Sequence, residues 1–311
     1  MTRDDLLSFA WWNTGLSPPR KQGVQTPGQW DCVREVVRQL IEVESTDLLA
    51  LGETAAEQAE QLHAVCCSTN ARRLVVDARP NAGSHRNLAV LYNGSKLLLE
   101  GGPSALYDSL GGSRLHVGMH LLFSMSSFPA PLHVFVVHWP SRMRPDSDAL
   151  RRMIGRSLQA RIDELVRLEQ RPLHVLVLGD FNDEPFNDSM STALLGSRDR
   201  NLVRRRPRHL YNPFWRFLGE RQELEEERGG RLGAGTHYYE GTVATHWHTY
   251  DQFLVSASLL AGPGWVLREA GTRIWQRAPL LTTRGRFASR FDHFPILGML
   301  SHMAPEETPG A

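Results

Sequence analysis

Polar side chains able to bind a metal or move a proton stand at one repeated station in this sequence, the ends of apolar, strand-like runs. Asn13 closes the run 6–12, Glu53 follows 47–51, and His138 follows 132–137. Asp180 and Asn182 follow 173–178, Asp251 stands just before 253–255, and Asp292 with His293 stand before 296–300. Strand ends are where a rigid scaffold presents side chains to a shared cleft. Carboxylates, amides and two imidazoles, with no thiolate among them, are hard oxygen and nitrogen donors, a set that suits Mg²⁺ or Mn²⁺.

Taken singly, each residue has a plainer use. Glu53 alone is a solvated acid at a strand end, Asp180 and Asn182 form a capping turn ahead of Pro185, and His138 is a hydrogen-bonded framework residue. Asp251 can anchor a strand, or orient an imidazole from a buried position as His293 would need. His246 and His248 suggest zinc, but no third ligand stands at an obvious spacing. Repetition at one station is what points to a site.

Such residues need sheets to carry them. The run 6–12 reads as a buried strand leaving its sheet through Asn13-Thr14-Gly15. Apolar residues at Trp30, Val33, Val36, Val37, Leu40 and Ile41 fall on one helix face. Strands are expected at 47–51, 73–76, 87–92 and 96–99, the last two joined as a hairpin through Asn93-Gly94. The runs 132–137 and 173–178 belong in a sheet interior. Between them Leu150, Met153, Ile154, Leu158, Ile162, Leu165 and Val166 trace a long amphipathic helix, with Asp146, Ser147 or Asp148 to cap it. Further strands are expected at 253–255, 265–267 and 296–300. This mixed order predicts an α/β architecture with layers around packed sheets.

One domain is expected over 1–304, with an insert at about 196–249 and an unstructured tail at 305–311. The insert is rich in arginine from Arg198 to Arg208 and in glutamate from Glu220 to Glu227, with a helix expected over 214–227. Its Tyr211, Trp215, Tyr238 and Tyr239 either stack on unpaired bases or pack the insert onto the body.

Composition narrows the classes. The chain has 311 residues, 35 Lys+Arg against 34 Asp+Glu, and 41% hydrophobic residues, an ordinary globular balance. The net charge of +1 argues against attraction of the whole surface to nucleic acid and leaves only a local cleft for that role. Only Lys21 and Lys96 are lysines, so arginine clusters reflect composition as much as function. No run approaches the ~20 apolar residues of a membrane helix, so no membrane span is expected. Met1-Thr2-Arg3-Asp4-Asp5 leads into a strand and not a signal-peptide core, so a cytoplasmic location is expected. Cys32, Cys66 and Cys67 form neither an even framework nor a C-x-x-C pair. Nothing points to a protein partner.

In order, Trp12-Asn13, Leu51-Gly52-Glu53, His138-Trp139-Pro140, Gly179-Asp180-Phe181-Asn182-Asp183, Tyr250-Asp251-Gln252 and Phe291-Asp292-His293-Phe294-Pro295 resemble the endonuclease/exonuclease/phosphatase superfamily. The resemblance runs over nearly the whole chain, and His138-Trp139-Pro140-Ser141-Arg142 with Asn182 to Pro185 is similar to uncharacterised bacterial members. It implies a four-layered α/β sandwich, two central mixed β-sheets flanked by helices, with the cleft at one end. The chain departs from the pattern at three places: Gly15 stands where an aspartate is usual, Gly52 where a glutamine is usual, and Val137 where Asn or Thr often stands.

The resemblance also implies roles. A divalent cation, Mg²⁺ or Mn²⁺, would be held by Glu53, with Asn13 nearby and Asp292 as a further ligand. Asp180 would orient or deprotonate the attacking water, and Asn182 would hold that water or a phosphate oxygen. His293, polarised by Asp251 or Asp292, and His138 would donate to the non-bridging oxygens. Arg142, beside Ser141 on the loop leaving its strand, would contact substrate phosphate. The expected activity is hydrolysis of phosphodiesters in DNA or RNA. The alternatives are a phosphatase or phosphodiesterase of a small nucleotide, phosphoinositide or phospholipid head group, and a catalytically silent binding scaffold.

Overall fold

The computed structural model describes residues 5–17, 27–66, 71–77, 87–110, 112–125, 128–143, 146–219, 235–242, 245–262, 264–280 and 291–303. The first part of the chain forms β1 (Leu6–Asn13), α1 (Pro27–Arg38), β2 (Leu48–Gly52), α2 (Ala56–Cys66), β3 (Arg72–Val76), β4 (Leu88–Asn93) and β5 (Leu97–Leu99). The middle adds β6 (Ser104–Leu110), β7 (Ser113–Met125), β8 (Phe128–His138), α3 (Ser147–Glu169) and β9 (His174–Asp180). There follow β10 (Gly196–Ser197), α4 (Arg200–Arg205), β11 (Leu210–Tyr211), β12 (His237–Tyr238) and β13 (Trp247–His248). The chain closes with β14 (Asp251–Ser256), β15 (Gly264–Leu267), β16 (Arg273–Ile274) and β17 (Ile296–Met303).

Two mixed sheets result. One runs β15-β17-β1-β2-β4-β3 with β16 beside β17; the other runs β10-β11-β14-β9-β8-β7-β5 with β6 beside β7. Strand periodicity assigns each side chain to a layer. Along β1, Leu7, Phe9 and Trp11 face the second sheet and meet Val134, Leu178 and Phe253 in the inter-sheet core. Ala10 and Trp12 face the other way and pack with Val33, Val36 and Val37 of α1 and Leu62 of α2. On the far side of the second sheet, Phe135, Val137 and Val177 cover Ile154, Leu158 and Ile162 of α3. The order is helix, sheet, sheet, helix, the four-layered sandwich that the family resemblance implies. The central strands are buried on both faces, which is why they read as unbroken apolar runs. Among the described residues no helix is long and apolar enough to cross a membrane.

Some expectations are corrected. Asn93-Gly94 does not close a hairpin: β4 pairs in the first sheet, whereas β5 pairs with β7 in the second. Asp47 anchors the turn, accepting from the Asn93 backbone at 2.7 Å and its side-chain amide at 3.2 Å, and the chain crosses between sheets there. Helix α2 and strands β6 and β7 lie where no element was expected. The segment from 196 begins as sheet, since β10 and β11 extend the second sheet at its edge. Of the helix expected over 214–227, one short turn, Pro213–Phe217, is present, and the remainder past residue 219 lies outside the described residues, as does the tail.

Candidate active site

Strand register brings the expected residues level. Asn13 pairs with Gly52 across parallel strands β1 and β2, His138 with Asp180 across parallel β8 and β9, and Asp251 with Asp180 across antiparallel β14 and β9. One glycine makes the second pairing feasible. At Gly179 a Cβ would lie 1.9 Å from the Val137 carbonyl oxygen, so any side chain there would push Asp180 away from His138. Glu53 and Asn182 leave their strands at φ of +49° and +52°. That left-handed conformation costs a non-glycine residue about 1–3 kcal/mol and is concentrated at functional sites.

Asn13 binds the two acidic positions together. Its Nδ2 donates to Glu53 Oε1 and to Asp180 Oδ2, both at 3.3 Å, and its Oδ1 accepts from the Gly15 amide at 3.1 Å. His138 Nε2 lies 3.6 Å from Asp180 Oδ2 and 3.8 Å from Glu53 Oε1, beyond hydrogen-bond length. Asp180 is fully buried. Burial first, then the charge of Asp251, pushes its carboxyl well above the usual carboxylate range. A carboxylate near neutrality's threshold is suited to exchange a proton with water.

Asp251 is the acid that holds His293. Its Oδ2 is 2.7 Å from His293 Nδ1, and its Oδ1 accepts from Trp11 Nε1 at 2.7 Å. His293 Nε2 lies 4.0 Å from both Asp180 Oδ2 and Asp292 Oδ1. Burial alone would depress the imidazole. Asp251, then Asp180 and Asp292, more than reverse that, and His293 sits well above the ordinary histidine value. A protonated His293 donates from Nδ1 to Asp251 and presents Nε2–H to the cleft.

The remaining candidates are placed as follows. Asn182 fastens the turn: its backbone amide donates to Asp180 Oδ1 at 2.8 Å and its side chain to the Trp139 carbonyl at 3.0 Å. Ser141 is exposed. Arg142 is tied to the loop after β9, with Nη1 at 2.5 Å from Asp183 Oδ1 and 3.3 Å from Asn187 Oδ1. Tyr211 is only 8% exposed and belongs to the inter-sheet core, so it cannot stack on a base. Trp215 packs edge-on against Phe186, Tyr238 against Trp247, and Tyr239 is 47% exposed. His246 is exposed, while His248 is buried with Nδ1 at 3.1 Å from Glu184 Oε1, so the two do not form one ligand set. Arg208 pairs with Asp163 of α3.

Three residues escaped sequence reading. Trp11 and Thr236, which donates and accepts respectively around Asp251, lie in a buried strand and a loop, and neither stands out by type. His237 faces His293 across an isolated antiparallel bridge. Its strand is two residues long and shows no alternation to read.

The donor chemistry fits a divalent cation. Glu53 has a side chain 29% exposed at the cleft edge, a carboxylate oxygen donor of the kind Mg²⁺ takes together with several waters, and Asn13 orients it through Nδ2. Among the described residues, two groups of three also bring ligand atoms within 4.8 Å of one another: Asp180, Asp251 and His293, and His237, Asp292 and His293.

Comparison with known proteins bears on the fold and the family. A family model described as "Endonuclease/Exonuclease/phosphatase family" matches residues 121–293, from within β7 to His293. No curated protein matches the chain. A functionally unknown conserved protein from Enterococcus faecalis V583 is 17% identical, with a TM-score of 0.62 over 96% of this chain and 100% of that one. A mannosyl-6-phosphatase from Bacteroides thetaiotaomicron is 15% identical, with a TM-score of 0.59 over 94% and 99%. D. rerio TDP2 complexed with a single-strand DNA product is 14% identical, with a TM-score of 0.58 over 95% and 99%.

Proposed function

Because the chain belongs to the endonuclease/exonuclease/phosphatase family of phosphoester hydrolases, we propose that it is a divalent-metal-dependent phosphodiesterase acting on DNA or RNA. The observation that carries the reading is the buried Asp251–His293 pair, held 4.0 Å from an Asp180 whose carboxyl is raised. We read residues 1–304 as one domain and the location as cytoplasmic.

In this reading Glu53, with Asn13 beside it and Asp292 as a further ligand, holds Mg²⁺ or Mn²⁺. The ion, when bound, supplies Lewis acidity toward a phosphoryl oxygen and the leaving group. Asp180 takes a proton from the attacking water while Asn13 keeps its carboxylate oriented. His293 and His138 donate to non-bridging oxygens as charge develops there. Asn182 holds the turn that presents Asp180, and Ser141 and Arg142 meet flanking phosphate at the rim.

A second reading has specific support. Tyr211 is buried and Arg142 is engaged with Asp183, which removes part of the equipment for gripping a polynucleotide. One structural neighbour is a mannosyl-6-phosphatase, and another is bound to a single-strand DNA product. A small phosphoester is therefore the alternative substrate. A panel of single- and double-stranded DNA, RNA and small phosphomonoesters and diesters, each with Mg²⁺ or Mn²⁺, decides between them. Cleavage of a polynucleotide that weakens as salt rises supports the nuclease reading. Turnover of a small ester with every nucleic acid intact supports the alternative.

A further inference from the structure

His237 has no part in the chemistry above, yet the backbone holds it against His293. The Tyr238 amide donates to the Asp292 carbonyl at 2.8 Å, and the Phe294 amide donates to the Thr236 carbonyl at 2.7 Å. These two bonds flank His237 and His293 and make them a non-hydrogen-bonded antiparallel pair, the register in which facing side chains come closest. The ring centroids are 4.4 Å apart. Tyr250 stacks on the His237 ring at 5.2 Å and fixes its plane.

The surroundings of the pair are those of a ligand set. His237 Nδ1 is buried with no hydrogen-bond partner. Asp292 is half-exposed, with Oδ1 4.0 Å from His293 Nε2. One atom from each of His237, Asp292 and His293 lies within 4.8 Å of the other two. Asp251 holds His293 Nδ1, the carboxylate–imidazole arrangement that orients a metal-binding histidine through its other nitrogen.

We propose that His237, Asp292 and His293 form an inhibitory cation site at the rim of the cleft, selective for Zn²⁺, which overlaps the Mg²⁺ site by sharing Asp292. Two imidazoles and a carboxylate match the ligands of zinc, with a fourth position left to water, and are poor competitors for the oxygen-seeking Mg²⁺. Zn²⁺ at this site occupies the His293 Nε2, so the imidazole no longer donates to a substrate oxygen. The inhibitory half rests on the proposed function; the binding half does not.

The test titrates ZnCl₂ into the full chain in excess Mg²⁺ by calorimetry, with CoCl₂ as an optical probe of coordination. One equivalent should bind with micromolar or tighter affinity, and His237→Ala and His237→Gln should each weaken it at least ~10-fold. Unchanged Zn²⁺ affinity in whichever variant folds, or wild-type binding only at millimolar Zn²⁺, overturns the site. In the hydrolysis assay the same titration should inhibit the wild type, and the variants should need at least ~10-fold more Zn²⁺. One equivalent bound through His237 without loss of rate overturns the inhibitory half. If Mg²⁺ supports no hydrolysis at all, the proposed function falls, and the calorimetry still decides the site.

Discussion

The indole Nε1 of Trp11 donates to Asp251 Oδ1 at 2.7 Å, and it reaches that oxygen because residue 52 is a glycine. A Cβ at position 52 would lie 2.5 Å from the Trp11 ring. Asp251 is fully buried, so both of its oxygens need partners within the protein; Trp11 satisfies one and His293 the other. The departure from the family pattern at Gly52 and the bulky Trp11 are thus two sides of one packing solution.

Trp11→Phe should keep the packing and delete the donor. A hydrogen bond to a charged group is worth about 1.5–3 kcal/mol, and the loss should appear as lower thermal stability. It should also lower kcat about 10-fold with little change in KM, because the Asp251–His293 pair acts on the transition state. Wild-type kcat in a variant of reduced stability would show that Trp11 is structural only.

Gly179→Ala should be severely destabilising, by about 3 kcal/mol or more, since the added methyl meets the Val137 carbonyl at 1.9 Å between two central strands. Denaturant unfolding of the purified variant measures this. A loss below about 1 kcal/mol would mean that β8 and β9 can separate at this point.

Asp180→Asn and His293→Ala should each lower kcat by about 10²-fold or more, one removing the base and the other a transition-state donor. Circular dichroism and melting curves distinguish lost chemistry from lost fold. A folded variant with wild-type turnover would remove that residue from the mechanism.

What was legible in the sequence follows from how local each signal is. Asn13, Glu53, His138, Asp180 and Asp251 each adjoin an apolar run, so their station at strand ends could be read without knowing the pairing. Which acid holds His293 could not, because Asp251 and His293 meet only through the register of strands far apart in the chain. Trp11 and His237 were hidden for the same reason: each acts through a partner supplied by another strand. β7 carries no clear strand signal, because its polar positions, among them His116, His120 and Ser124, break up the apolar run. The Asn93-Gly94 dipeptide specifies a tight turn and says nothing of which sheet receives the next strand.

Stability should fall in acid. Burial first, then the positive neighbours His133 and Arg161, pushes His120 down to about 4, and burial with Arg171 and His133 does the same to His174. Unfolded, both titrate near 6.5. Between about pH 6.5 and 4 the unfolded chain binds two more protons at these histidines, against one that the raised Asp180 carboxyl holds in the folded chain, so the histidine contribution is complete above pH 6.5, is lost as pH falls toward 4, and outweighs the opposing one. Urea midpoints at pH 7 and pH 4.5 test this: the acid midpoint should be lower, and His174→Gln should narrow the difference. Equal midpoints for the wild type would contradict it.

Metal-dependent phosphodiester hydrolysis is measured by single turnover of a labelled oligonucleotide panel with chelator-treated protein, before and after Mg²⁺ or Mn²⁺ is restored. Cleavage should be absent in chelator, return with the added cation, and stay absent when Glu53→Gln replaces the wild type. Cleavage at full rate in excess chelator, or recovery undiminished in Glu53→Gln, would contradict metal-dependent hydrolysis through Glu53.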